Sequence, residues 1–393
     1  MIHVFTGPTL AAADPALANE QIRTLPPVRH GDLFDPLIAD TDTVVIVDGV
    51  YHHAPALRHK EIIWALDRGV RVIGAASIGA LRAAELAPCG MVGVGAVFAA
   101  YARGELDGDD EVAVAQAVGG DNRAFTWPLV NLRHTLQLAE QEEVIDADAA
   151  RRVLDGLARL YYAHRSLGAV RHVAREAGAP MFGQWLTAHR VLDPYFGDLK
   201  RSDALAALET ALRADGTLVA PRPGLVWRTR CFRHWANVFA AETVNGVRVP
   251  TRERVGYQQV FDPGFPDLWW RYLHPGGTVL KPSALACAAA RPEVDLTDPV
   301  TVSRLLANET PADVDALTLY LALNQARDRA QCGGFRPETV RDDLARTVLA
   351  AAWSASPDAL ADEAWKRGFH GEREAVAAVK PFVLGVLADR EGS

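Results

Sequence analysis

Three things are scarce in this chain, and each scarcity removes a class of function. The four cysteines, Cys89, Cys231, Cys287 and Cys332, stand far apart, without metal or disulfide spacing. Reduced thiols in a cytoplasmic protein are the expectation. No apolar run reaches membrane-spanning length, so no membrane partner is expected. Met1-Ile2-His3-Val4-Phe5-Thr6 lacks the basic and long apolar regions of a secretory signal, and reads as a first strand. Positive charge is in deficit: 41 Lys and Arg against 49 Asp and Glu leave a net charge of −8, with no overall pull toward nucleic acid. Internal repeats and low-complexity tracts are absent as well. Gly74–Gly79 is not a G-x-G-x-x-G turn, and no acid follows at dinucleotide-site distance, so no cofactor is expected. His52, His53 and His59 with Asp48 match no metal spacing, and adjacent histidines on a regular element cannot both point inward; no metal is expected.

What remains is ordinary globular composition, 49% hydrophobic and 23% charged over 393 residues, enough for two or three domains. The first part alternates strand and helix patterns. Strands are expected at Ile2–Thr6, Ile22–Leu25, Val44–Val47, Val70–Ile73 and Met91–Gly95. Helices are expected at Leu10–Glu20, about Pro55–Arg68, Ala80–Leu86 and Ala96–Arg103. This alternation predicts an open parallel α/β sheet with flanking helices. Ligands bind such sheets beyond the carboxyl ends of the strands, where Gly7-Pro8-Thr9, Asp48-Gly49 and Gly74–Gly79 all fall. From about residue 125 the pattern turns helical, over Trp127–Glu142, Ala149–Ala177 and Ser202–Ala214, with Gly216–Pro223 as a linker. Leu225–Val260 mixes β-like runs with aromatics, and Pro299–Ala388 is largely helical. The expected organisation is an α/β core over 1–125, a helical part over 126–220 and a mainly α-helical C-terminal part over 221–393.

The chemistry concentrates in Arg71–Glu85. A β-branched run leads into Ala75-Ala76-Ser77-Ile78-Gly79, and good helix formers follow. This is the nucleophile-elbow pattern G-x-S-x-G, with Ala for the first Gly, in its strand–turn–helix context. Amides opening the following helix can face an oxyanion. The plainer alternative is a serine that caps its own helix. Lys60 is the second candidate, two turns into the helix expected after the Asp48 strand. A lysine that acts as a base has to be partly neutral, which burial and a helix N-terminus favour; a solvated surface lysine is the alternative. Asp107, Asp109, Asp110 and Glu111 read as a helix start or solvated loop, able to meet a basic partner. Arg222, Arg228, Arg230, Arg233 and His234 interleave with Trp227, Phe232 and Trp235, as a patch that binds peptide or nucleic acid or as an arginine-laced core edge.

Taken together, these motifs resemble the TfuA family, the partner proteins of YcaO enzymes in peptide backbone thioamidation. The resemblance rests on His3–Thr9, Leu25-Pro26-Pro27 with Gly31-Asp32-Leu33, Val47-Asp48-Gly49, His59-Lys60-Glu61-Ile62, Gly74–Glu85, Gly90–Gly95, Tyr101, Gly104, Asp109–Val114 and Pro128–Arg133. It is dense to about residue 134 and thin to about 200. It implies hydrolysis of the C-terminal thiocarboxylate of a ThiS-like sulfur carrier, with sulfide passed to YcaO, which activates the amide with ATP. It also implies help to YcaO in engaging the precursor peptide. The family's Ser–Lys pair carries over to Ser77 and Lys60. Ile78 stands where methionine is expected, which leaves nucleophilicity untouched.

The implied mechanism is acyl transfer. Lys60 takes the Ser77 proton, and Ser77 attacks the thiocarboxylate carbon. The amides of Ile78 and Gly79, with Gly7 and Thr9, hold the oxyanion. Gly74 leaves room for a slender Gly-Gly tail, Arg82 is a further substrate-binding candidate, and Asp48 organises the loop rather than acting as an acid. The alternative is a non-catalytic adaptor that docks peptide or carrier onto YcaO.

Overall fold

The computed structural model describes residues 1–50, 52, 54–116, 124–213, 228–244, 246–275, 284–290, 292 and 294–392. His53, Arg222, Trp227 and the expected Gly216–Pro223 linker lie outside the described residues. The chain divides into two compact units, Met1–Leu33 with Ile38–Trp227, and Phe34–Leu37 with Arg228–Ser393.

The first unit is built on five parallel strands: β1 (Ile2–Phe5), β2 (Ile22–Leu25), β3 (Thr43–Ile46), β4 (Arg71–Ala75) and β5 (Val92–Val94), in the order β2-β1-β3-β4-β5. This is a doubly wound order, and it reverses direction between β1 and β3, where ligand crevices form. All four residues of β3 are buried, as expected of a central parallel strand covered on both faces. Val44 and Ile46 join one core cluster with Ile62 and Leu66 of α1 (His59–Asp67) and Ala83 and Leu86 of α2 (Ile78–Leu86). The other face of the sheet carries Val45, Val47, Ile73 and Ala75, which pack on Ala204, Ala207, Leu208 and Ala211 of a later helix.

That helix ends a helical run: α3 (Ala96–Ala102), α4 (Leu129–Gln141), α5 (Ala147–Ala158), α6 (Leu167–Glu176), α7 (Pro180–Leu192) and α8 (Leu199–Leu212). Helix α8 returns to the sheet and is tied to α3 by Asp203, whose carboxylate accepts from the Ala96 and Val97 amides, each at 2.8 Å. Two local expectations differ. Leu10–Glu20 forms only a 3-10 turn at Pro15–Leu17, because Leu10 and Leu17 plug the core individually rather than as a helical stripe. Ala149–Ala177 breaks into α5 and α6 around a 3-10 turn at Tyr162–His164, followed by Arg165, whose side chain is buried against the Leu157 and Leu160 carbonyls.

In the second unit, α9 (Arg230–Phe239) and α10 (Thr251–Phe261) flank an antiparallel hairpin of β6 (Ala241–Val244) and β7 (Val247–Pro250). The β-like runs expected there thus give one hairpin between two helices. Eight further α-helices follow among the described residues, so this part is mainly α-helical. No helix among the described residues is long and apolar enough to cross a membrane.

Candidate active site

Three loops at the carboxyl edge of the sheet build the site. The turn after β4 is forced into shape by two contacts. A Cβ on Gly79 would stand 1.7 Å from the Ile46 carbonyl oxygen, and a Cβ on Gly74 would stand 2.1 Å from the Gly79 oxygen. Both positions therefore need glycine, which lets α2 start directly against β3. Ala76 takes a left-handed backbone, φ 66°, a conformation that is costly outside glycine and recurs at functional turns.

This geometry presents Ser77 at the head of α2. Ser77 occupies the N-cap position, but its hydroxyl makes no cap bond with its own helix. It donates instead to the Val112 carbonyl, at 3.5 Å. The helix-cap alternative for Ser77 is thus not what the side chain does. Ser77 is 9% exposed and lines a cleft of about 600 Å³ together with Asp48, Arg82, Asp107, Val112 and Tyr162.

Asp48, two residues beyond β3, is the organiser of this edge. One carboxylate oxygen accepts from the Gly7 and Thr9 amides at 3.0 and 2.9 Å; the other accepts from the Thr9 hydroxyl at 2.6 Å. The loops after β1 and β3 are thereby locked together. The same bonds commit the Gly7 and Thr9 amides, and the Gly79 amide donates to the Val47 carbonyl at 3.4 Å. The Ile78 amide opens α2 beside Ser77.

The remaining candidates divide. Arg82 reaches the cleft from α2, with Nη1 donating to Glu85 at 2.6 Å, while its buried Nε has no hydrogen-bond partner among the described residues. Lys60 lies in the first turn of α1, half-buried, and is not among the cleft-lining residues. Its helix neighbour Glu61 is buried and accepts from the Gly31 amide at 2.6 Å. The acidic cluster splits by role. Glu111 pairs with Arg133 at 2.6 Å and Asp110 with Arg165 at 2.6 Å, whereas Asp107 and Asp109 border the cleft.

One residue at this edge was missed from sequence. Lys200, in the first turn of α8, is 3% exposed. Its ammonium donates to the Val112 carbonyl at 2.9 Å and stands 3.8 Å from Asp48. Val112 O is the atom that Ser77 also contacts. Burial pushes the Lys200 pKa down, against the opposing pull of Asp48 and Asp198. The signal was a stripe: Lys200, Asp203, Ala204, Ala207, Leu208 and Ala211 share the buried face of α8, and a lysine heading an apolar stripe is a buried lysine. The expected helix began at Ser202 and left it out.

Residues 48–166 match the family model of TfuA-like protein. This stretch of the chain is TfuA-like. The match takes in Asp48, Ser77, Arg82 and Val112 and ends before Lys200. The TfuA-like match supports involvement in the context of thioamidation in general. No curated protein matches the chain.

Proposed function

We propose that this TfuA-like chain is a serine hydrolase of protein thiocarboxylates, which releases sulfide from a ThiS-like carrier for a YcaO enzyme that thioamidates a precursor peptide. The observation that carries the reading is Ser77 itself: a hydroxyl at a helix N-terminus, freed from capping duty and facing a cleft. A purely structural serine at this position gains about 1 kcal/mol by capping, and Ser77 forgoes it.

In the proposed reaction the Ser77 oxygen attacks the thiocarboxylate carbon as its proton passes to a lysine. The C–S bond then breaks. The lysine returns the proton to sulfur, which leaves as hydrosulfide, and an acyl-serine remains. Water cleaves the ester, giving the carrier carboxylate, a proton and free Ser77. The place of Arg82 on the cleft lining supports a role in neutralising the anionic tail, and the Ile78 amide is the oxyanion donor nearest Ser77 along the chain. Lys60 is the lysine that the family resemblance assigns as base. Its half-buried place in the first turn of α1 also suits an anchor for the carrier.

The test is sulfide release from thiocarboxylated carrier with YcaO absent. Release that Ser77→Ala abolishes supports the hydrolase. A chain that releases none, yet tightens binding of peptide to YcaO, is the adaptor.

A further inference from the structure

Accepting Ser77 as the nucleophile, we infer that Lys200, rather than Lys60, takes its proton. The inference rests on placement. Helix α8 packs on the sheet face opposite α1 and α2, and its first turn delivers Lys200 to the carboxyl edge beneath Asp48. There Lys200 Nζ and Ser77 Oγ converge on one acceptor, the Val112 carbonyl oxygen, at 2.9 and 3.5 Å. Two donors on one oxygen lie no further apart than two hydrogen bonds. Proton transfer needs a direct Oγ–H···Nζ contact, and catalytic contacts of this kind commonly tighten only with substrate bound.

The surroundings suit a base. Pro8 and Val114 border both the cleft and a second cavity of about 110 Å³, and Lys200 lines that second cavity rather than the cleft. The ammonium therefore sits outside the cleft and is almost wholly buried, 3% exposed. The charged groups facing it are Asp48 and Asp198, both of which favour the ammonium; burial favours the neutral amine and outweighs them. The fold holds Lys200 firmly. Asp198 caps its helix through the Arg201 amide at 3.1 Å, and the Lys200 amide donates to Asn131 at 3.2 Å. In the forward step the proton moves from Ser77 Oγ to Lys200 Nζ as the O–C bond forms. It moves from Nζ to the departing sulfur as the C–S bond breaks, so lysine ends neutral.

The experiment is sulfide release against pH for wild type, Ser77→Ala, Lys200→Met, Lys200→Arg and Lys60→Arg, with folding checked by circular dichroism. Lys200→Met and Lys200→Arg should each lose about 10²–10⁴-fold, because arginine keeps the charge and cannot accept a proton. The acid limb of the wild-type profile should vanish with Lys200, while Lys60→Arg should keep that limb, whatever it does to the KM for the carrier. A Lys200→Met enzyme with the wild-type limb overturns the inference, even if Ser77→Ala is inactive. A fully active Ser77→Ala instead overturns the underlying hydrolase reading. Should Lys200→Met fail to fold, the wild type still decides. The chain has only five lysines, and ¹³Cε labelling should show one titrating well below the others, whereas five ordinary titrations overturn the inference.

Discussion

Both units bury a cation, and they do so to different ends. In the second unit, Arg367 Nη1 donates to the Gln259 and Asp262 carbonyls at 2.9 and 2.8 Å, with the guanidinium 5.3 Å over the Trp353 ring. Those carbonyls end α10, so Arg367 closes a helix and fills a core. In the first unit, Lys200 meets a carbonyl already shared with a serine, at the edge of a sheet beside a cleft. Burial lowers the pKa of both cations. Arginine stays charged regardless, and serves as a staple; lysine can shed its proton. A buried cation beside a second reactive group marks chemistry, while one beside helix carbonyls marks structure.

The largest effect that tests this contrast is Ser77→Ala. Sulfide release should fall by about 10³-fold or more, while unfolding free energy stays within about 1 kcal/mol, since the hydroxyl caps nothing. Arg367→Met should do the reverse. Stability of the second unit, followed by urea unfolding, should drop by about 3 kcal/mol as both bonds to the α10 end are lost, while sulfide release is unchanged. Thr9→Val removes the 2.6 Å bond to Asp48 and should cost about 2 kcal/mol, with a partial loss of rate as the two loops separate. The finest test is pH. The folded Lys200 sits below the ordinary value of 10.5, so between those two values the unfolded chain holds more protons. Stability should therefore rise with pH across that window, by up to about 1.4 kcal/mol per pH unit. Lys200→Met should lack that share of the slope in matched urea titrations.

Much of this was legible in the sequence, for physical reasons that differ by residue. Ile22–Leu25 forms a strand with the expected bounds, and the Ser77 turn sits between β4 and α2 as its small residues require. Asp48, expected from the resemblance to organise its loop, accepts from Gly7 and Thr9. Helix α1 starts at His59 rather than near Pro55, because Pro55 precedes the buried Glu61 cap that sets the first turn. The second unit was harder: Val, Trp and Phe runs between 225 and 260 look like strands, yet most of them sit on amphipathic helices whose other face is charged. Lys200 was hidden for a different reason. It lies some 120 residues from Ser77, and no local pattern announces a contact that only the return of α8 to the sheet creates.

The most direct test of the central claim uses the purified chain and a thiocarboxylated ThiS-like carrier alone, with no YcaO, ATP or peptide. Free sulfide is followed with time beside the mass of the carrier. The account predicts one sulfide per carrier, with thiocarboxylate converted to carboxylate over repeated turnovers. A carrier that keeps its sulfur until YcaO and peptide are added would contradict it, and leave the chain an adaptor.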